Sequence, residues 1–327
     1  MIDDTFEPVR MKLSAVAELI DKFIAESTDK SKETRGTYQR ALREFVTFFA
    51  TDRLFMFRVR DVERYRTYLL TTKKLQEISV ATYLTALRRF CQYLVTAGII
   101  EKNPAKRVQG GRRPTAHSRV FLTLNEVDML LGSIETETTA GLRDRAIIHT
   151  MLGCALSELE ISRAEAGDLK KVGNKSVLYV QGKGKSVKDE PVEVPKAAIE
   201  AIETYHKSLG FDIAPSQPLF ASRSNRSRNR HMSIRGIREA ISQRLKASNV
   251  KQGRDLKLTP FSLRHTAGIL LAEAGYSVED VMKRMRIEWR PTAQLYFKQK
   301  GLLRSENKPE KSALVGGEAP PPAETAV

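Results

Sequence analysis

Two residues toward the carboxy-terminal end of the chain have side chains suited to work on a phosphodiester. They are Arg264, in Thr259-Pro-Phe-Ser-Leu-Arg-His265, and Tyr296, in Arg290-Pro-Thr-Ala-Gln-Leu-Tyr296. A guanidinium is a planar fork of donors that matches the non-bridging oxygens of a phosphate. A phenol is an oxygen nucleophile able to form a covalent ester. The arginine stands at the start of one helix and the tyrosine in a short helix that follows, so the two can meet at one point. Each has a plainer reading as well. Tyr296 lies between Leu295 and Phe297 in an apolar pattern that suits a core tyrosine, and Arg264 can be a structural arginine at a helix start.

The elements that must hold this pair are mostly helical. Leu13, Val16, Leu19, Ile20, Phe23 and Ile24 recur at helical spacing and predict a first helix. A second carries Tyr38, Leu42, Phe45, Val46 and Phe49, with Ser31 and Thr34 as caps, and a third holds Val62, Tyr65, Tyr68 and Leu69. A fourth runs from near Ser79 to Gly98 through Tyr83, Leu84, Leu87, Phe90, Cys91 and Leu94. Their polar faces carry Arg35, Arg40, Arg43, Arg60, Arg64, Arg66, Arg88 and Arg89. Such faces are usually just solvated, but they also suit a clamp on a DNA backbone. Residues 103–119 contain five basic residues, including Arg112, Arg113 and Arg119, with no acidic one, two prolines and a Gly-Gly pair. That composition predicts an extended linker that also follows phosphates.

A second domain is expected from Leu122. Thr123 starts a capped helix, 142–161 contains two more, and further helices fall at 197–206, 234–248, 263–274 and 278–285. Residues 177–181 and 192–194 read as strands around the turn Gly182-Lys-Gly-Lys185, which on its own is most often a solvated turn. Between Arg223 and Lys246, eight basic residues stand against one acidic, Glu239, the densest positive stretch in the chain. Its members include Arg223, Arg226, Arg228, Arg230, Arg235 and Arg238. The proline-rich tail cannot bury a core and is expected to be disordered. The fold class is mainly α with a small β-hairpin or sheet. The expected division is a helical domain over 1–108, a basic linker over 109–119, a mixed α/β domain over 120–303 and a tail over 304–327.

Composition narrows the partner. A chain of 327 residues exceeds one small core, so two domains are the default. A formal charge of +16 and a pI near 9.8 favour nucleic acid over an acidic membrane or mere solubility. The only cysteines, Cys91 and Cys154, have neither metal-ligand spacing nor a disulfide framework, which suits a reducing cytoplasm; no metal and no cofactor are expected. No apolar run reaches membrane-spanning length and no signal peptide opens the chain. His149, His206 and His231 read as ordinary surface or core histidines.

Together these stretches resemble the tyrosine recombinase (phage integrase) family over nearly the whole chain. Leu142-Arg-Asp-Arg-Ala-Ile-Ile148 through Ala155-Leu-Ser-Glu-Leu-Glu-Ile161 resembles the family's first catalytic helix pair. Tyr179-Val-Gln-Gly-Lys-Gly-Lys185 with Pro191-Val-Glu-Val-Pro195 resembles its lysine-bearing hairpin. Phe261-Ser-Leu-Arg-His-Thr-Ala-Gly268 resembles its His-x-Leu-Arg-His segment, and Arg290 to Tyr296 its nucleophile segment. The resemblance implies a helical core-binding domain and a mixed α/β catalytic-type domain closing around double-stranded DNA as a C-shaped clamp. It also implies self-association, or a partner recombinase, on paired DNA sites. In the implied reaction a tyrosine attacks the scissile phosphate and leaves a 3′-phosphotyrosine and a free 5′-hydroxyl, so strands rejoin without ATP or metal. Carried over by position, Tyr296 is the nucleophile, Lys183 the acid that protonates the leaving 5′-oxygen, Arg264 a phosphate clamp and His265 a supporting histidine.

Three positions depart from that pattern. Ser157 stands where the family has its first arginine and Phe261 where it has a leading histidine. Ile287 takes the place of a histidine or tryptophan, with Arg286 where a glycine belongs. Losing one preorganised donor costs about 10²–10³ in rate, and three losses, though not additive, leave cleavage very slow unless other groups fill in. The indole of Trp289 can reach toward the gap at Ile287, and Arg145, Arg163 or Arg286 can lend a guanidinium to the gap at Ser157. Two functions stay open. One is a site-specific recombinase or integrase of a mobile element with a reduced active site, favoured by the joint retention of Tyr296, Lys183 and Arg264. The other is a non-catalytic repressor, architectural factor or partner subunit whose DNA affinity comes from its basic surface. An RNA- or membrane-binding protein fits the charge but leaves the spacing of those three residues unexplained. Either leading function is expected in the cytoplasm, with the nucleoid.

Overall fold

Apolar residues at helical spacing build four helices into the first of two units, Met1–Pro114: α1 (Leu13–Glu26), α2 (Lys32–Phe48), α3 (Val59–Thr71) and α4 (Glu77–Thr96). The computed structural model describes residues 10–27, 29–50, 54–56, 58–111, 120–182, 184–224, 227–252 and 258–301. Two short strands, β1 (Arg10–Lys12) and β2 (Leu54–Met56), pair antiparallel with Arg10 opposite Met56. The core is formed by Val16, Ile20 and Phe23 of α1, Leu42 and Phe45 of α2, and the Leu84, Leu87, Phe90, Leu94 stripe of α4. Tyr65 is wholly buried and its hydroxyl donates to the Ala41 carbonyl at 3.1 Å, so the one polar atom it brings inside is satisfied. Ser31 caps α2 as expected, accepting from the Thr34 backbone N–H. Helix α4 begins at Glu77, slightly earlier than its apolar pattern predicts, with Gln76 as N-cap.

Residues 103–111, the first part of the stretch expected to be an extended linker, fold back on α4, while 112–119 lie outside the described residues. Arg88 donates from Nε to the Ala105 carbonyl at 3.1 Å and from Nη2 to the Val108 carbonyl at 3.0 Å, while Asn103 donates to the Arg88 carbonyl. A Cβ on Gly110 would meet Ala81 Cβ at 2.8 Å, and one on Gly111 would meet Glu77 Cβ at 2.2 Å, so only glycine fits this close approach. Arg88 was expected to face DNA; its guanidinium is instead engaged with the carbonyls of its own unit. Arg112, Arg113 and Arg119 lie outside the described residues.

The second unit, Thr115–Val327, carries α5 (Leu124–Gly132), α6 (Thr139–Gly153), α7 (Glu158–Arg163), α8 (Lys196–Lys207), α9 (Ile234–Ala247), α10 (Phe261–Glu273), α11 (Val278–Met285) and α12 (Arg290–Gln299). A three-stranded antiparallel sheet, β3 (Leu169–Val172), β4 (Lys175–Val180) and β5 (Glu190–Glu193), has β4 at its centre, with Leu169 opposite Leu178 and Glu190 opposite Val180. The larger core joins α5, α6, α8 and α9 to β4 through Leu130, Ile147, Met151, Ile202, Ile241 and Leu178. A second core, among α10, α11 and α12, contains Leu270, Val281, Met285, Ala293 and Tyr296. Asp144 ties α6 to α9, accepting from Arg143 Nη2 at 2.7 Å and Arg244 Nε at 2.9 Å, so the buried carboxylate is fully paired. Burial pushes the thiols of Cys91 and Cys154 up to about 12, which leaves both unreactive. Among the described residues no helix is long and apolar enough to cross a membrane, and no group of His, Cys, Asp or Glu could hold a metal ion.

Candidate active site

Ser157, the position matched to an arginine, is the N-cap of α7. Its hydroxyl accepts from Glu160 N, while the Glu160 carboxylate accepts from Ser157 N at 2.7 Å and Ser157 Oγ at 2.8 Å, a reciprocal capping box. The same carboxylate, 5% exposed, also receives two guanidiniums. Arg264 Nη1 donates to Oε2 at 3.1 Å; Arg286 donates from Nε to Oε1 and from Nη2 to Oε2 at 3.2 Å. Both arginines donate to the Ala155 carbonyl as well, and Arg264 reaches the Met285 carbonyl, Arg286 that of Arg284. Burial raises the Glu160 carboxyl, but the charges of Arg286 and then Arg264 outweigh it and hold the group below its ordinary value. Burial also lowers Arg264, which Glu160 opposes and the Arg286 charge reinforces.

The backbone that delivers Arg286 is unusual. Helix α11 ends in a Schellman turn, with Arg286 N donating to Lys283 O at 3.2 Å and Ile287 N to Met282 O at 2.8 Å. Arg286 occupies the left-handed position of that turn, φ 54° and ψ 49°, where glycine is the usual residue.

Consecutive helical residues point about 100° apart, so Arg264 of α10 turns to the arginine cluster while His265 turns to α12. There His265 Nδ1 lies 3.1 Å from the Tyr296 hydroxyl. Tyr296 is 3% exposed, with its ring pressed on Gly268: a Cβ there would come within 2.8 Å of the ring's Cε1 and Cζ. Phe261, in the place of a histidine, packs its ring against His265 at 5.1 Å between centroids. A cleft of about 900 Å³ opens over the arginines, lined among others by Ser157, Glu160, Gly182, Lys185, Phe261, Arg264, Arg286, Ile287, Trp289 and Thr292. Tyr296 is not part of that lining; Thr292, one turn before it on α12, is.

Residues 120–300 match the Phage integrase family and residues 15–109 match the Phage integrase SAM-like domain. The chain belongs to the phage integrase family. It is 25% identical over 290 residues to tyrosine recombinase XerC of Leptospira interrogans, covering 87% of this chain and 89% of the relative. It is 30% identical over 234 residues to tyrosine recombinase XerC of Haemophilus influenzae, covering 71% and 74%. Its fold is similar to that of a lambda integrase dimer bound to a COC′ core site, with TM-score 0.68, 14% identity and 94% and 81% of the two chains covered. The Tn1549 transposon integrase in complex with transposon right end DNA gives TM-score 0.66 at 16% identity, covering 88% and 95%. At those identities the likeness to solved structures is one of fold.

Within this phage integrase fold, Lys183 and Arg226 lie outside the described residues; Gly182 and Lys185, which flank the lysine, line the cleft. Lys185 pairs with Asp189 at 3.6 Å and Glu190 at 3.2 Å. The cleft is not uniformly positive, since Glu190, Glu279 and Glu288 stand on its walls and Glu279 pairs with Arg290. Of the arginines that could fill the gap at Ser157, Arg145 donates to the Leu131 carbonyl and lines a different cleft with His149. Arg163 donates to the Gly182 carbonyl at 3.4 Å and so supports the hairpin turn. Only Arg286 of the three joins Arg264 on Glu160. Trp289, 51% exposed, stands on the cleft wall with Ile287. Glu160 itself escaped sequence reasoning, although Ser157-x-x-Glu160 is a legible capping signal.

The expected DNA-facing arginines divide. Arg40, Arg43, Arg89, Arg228, Arg230 and Arg235 are exposed, and Arg35 and Arg223 are partly so. Arg238 is exposed but its Nε donates to buried Glu158 at 3.1 Å. Among the described residues, His206 Nε2 meets the Leu219 carbonyl and His231 Nδ1 that of Ser162, which suits structural roles. Burial, helped by Arg145, brings His149 down to about 4.

Proposed function

We propose that this chain is a DNA strand transferase, acting as the site-specific recombinase or integrase of a mobile element. Its exposed arginines hold duplex DNA by the phosphates, and the scissile phosphate enters the cleft over Arg264. Tyr296 Oη bonds to phosphorus, its proton passing to His265 Nδ1, and the bond from phosphorus to the 5′-oxygen breaks. Lys183 gives a proton to that oxygen, leaving a 3′-phosphotyrosine and a 5′-hydroxyl; the reverse attack rejoins strands. Two or four protomers, or a partner recombinase, work on paired sites, in the cytoplasm with the nucleoid.

The observation that carries this reading is that consecutive residues of α10 serve both needs. Arg264 lines the cleft, while His265 hydrogen-bonds the Tyr296 hydroxyl at 3.1 Å. The test starts with a footprint on DNA flanking the chain's own gene. A nicked duplex carrying the protected site is then offered as a suicide substrate. A covalent protein–DNA adduct that Tyr296→Phe does not form is the expected result. Lys183→Ala should slow adduct formation on ordinary DNA but not when a sulfur replaces the leaving 5′-oxygen, because a thiolate departs without a proton.

A non-catalytic DNA-binding protein is the second reading. It is favoured by the 3% exposure of Tyr296 and by Ser157, Phe261 and Ile287 in place of expected ligands. Salt-sensitive binding to the footprinted site, with no adduct under any combination of partners, would decide for it.

A further inference from the structure

We infer that Arg286 supplies the second guanidinium to the scissile phosphate, from an element different from the one that carries Ser157. The inference rests on the reading that Tyr296 attacks DNA, and three independent features of the chain carry it.

The first is backbone conformation. Arg286 sits at φ 54°, in a turn that glycine would occupy without strain. A left-handed arginine persists only where surrounding structure holds it, and such outliers gather at functional sites. The second is charge. Arg264 and Arg286, with side chains 12% and 8% exposed, share the single carboxylate of Glu160, so the cluster is one negative charge short of neutral. Buried charges are paired, and this one has its open side on the cleft. An anion arriving there balances it.

The third is donor count. A guanidinium has five N–H groups. Arg286 uses Nε, both hydrogens of Nη2 and one of Nη1; Arg264 uses both hydrogens of Nη1 and one of Nη2. One N–H of Arg286 and two of Arg264 have no acceptor among the described residues. They belong to adjacent guanidiniums on one cleft wall, the number and charge that the two non-bridging oxygens of a phosphodiester need. As Tyr296 Oη bonds to phosphorus and the 5′-oxygen leaves with a proton from Lys183, those oxygens gain negative charge where the donors stand. Ser157, with its hydroxyl held by Glu160, caps α7 and takes no part.

The test measures the initial rate of adduct formation on the suicide substrate, with DNA affinity measured alongside. Arg286→Ala is expected to slow adduct formation by about 10²-fold or more while DNA affinity changes only a few-fold. A matched substrate with an uncharged methylphosphonate at the scissile position separates chemistry from folding. A neutral linkage needs less counter-charge, so Arg286→Ala should lose far less on it than on phosphate. The double variant Ser157→Arg with Arg286→Gly, which moves the guanidinium back, should recover adduct formation lost in Arg286→Gly alone. Equal rates for Arg286→Ala and the unaltered chain, or the same loss on phosphate and methylphosphonate, would overturn the inference and leave the recombinase reading intact. An unaltered chain that binds its site yet never forms an adduct would overturn both.

Discussion

The two halves of the candidate site are built on opposite principles. On the arginine side, charge is buried and held outright: Glu160 fixes two guanidiniums, Ser157 fixes Glu160, and backbone carbonyls of Ala155, Arg284 and Met285 hold the rest. On the tyrosine side, an apolar core closes over the phenol, with Gly268 beneath its ring and His265 on its hydroxyl. Groups that stabilise charge gain from being fixed before the reaction begins. A nucleophile that lies in the core and outside the cleft lining cannot reach a phosphate without moving. If Tyr296 is the nucleophile, as proposed, it hands its proton to His265 Nδ1 while in the Gly268 slot and its ring then leaves that slot, so the arginine half is expected to be rigid and the tyrosine half to open on DNA.

The contrast is most easily broken at Glu160. Glu160→Ala leaves two buried guanidiniums against each other with no carboxylate, and removing one partner of a buried ion pair costs about 3–5 kcal/mol. Urea unfolding should register that loss; a change under about 1 kcal/mol would mean the arginines are solvated and the floor is not fixed. On the tyrosine side, Gly268→Ala adds a methyl within 2.8 Å of the Tyr296 ring and of Met285 Sδ. Overpacking of this kind costs about 1–3 kcal/mol, and the Tyr296 ring, together with the Met285 side chain, must shift to relieve it. Nitration of Tyr296, followed by peptide mass analysis, should therefore rise in Gly268→Ala. Unchanged nitration and stability would mean that the ring already moves freely.

Acid should separate the arginine half from the rest of its unit. His149 is held at about 4 against an ordinary 6.5, first by burial and then by the Arg145 charge, in a cleft that also carries Glu200. The unfolded chain binds a proton that the folded chain refuses, so this stabilising contribution is complete above 6.5 and fades as pH falls toward 4. With its partial solvent access discounted, the loss is about 1–2 kcal/mol. Glu160 works lower down. Its carboxyl is depressed below 4.5 in the folded chain, so its contribution is present above 4.5 and disappears only as pH falls through the folded value. Melting temperature against pH should then decline in two stages, and His149→Gln should flatten the upper one alone. An unaltered curve between 6.5 and 4 in that variant would remove His149 from the account.

How much of this was legible varies with the range of the interactions. Helix α11 was predicted over the residues it occupies, because Ser277 and Asp280 cap it locally and Val281 and Met285 face one side. Strand β3 was missed because only Leu169 of its four residues is shielded, which leaves no alternation to detect. Its one signal is Gly173-Asn174 joining it to β4, with Gly173 at φ 57°, a two-residue hairpin loop. The pairing of β1 with β2 joins segments more than forty residues apart, and such short strands carry no period. Arg264 and Tyr296 stood out by residue type and position. That Arg286, and not Arg145 or Arg163, joins Arg264 on Glu160 could not be read this way, since Glu160 lies 126 residues upstream of Arg286 and only folding brings them together.

The smallest effect bears on Ser157, whose two roles part company cleanly. As an N-cap it satisfies the first turn of α7 and holds the Glu160 carboxylate at 2.8 Å, so Ser157→Ala should cost about 1 kcal/mol of stability. As a stand-in for a lost phosphate ligand it would instead cost rate. With Arg264 and Arg286 holding the phosphate, adduct formation by Ser157→Ala should stay within a few-fold of the unaltered chain, the small change reflecting a slightly looser Glu160. A fall of about 10²-fold, the cost of one oxyanion donor, with stability scarcely altered would give the serine a chemical part. The division between a fixed arginine floor and a caged phenol would then need a third member, supplied from the helix cap itself.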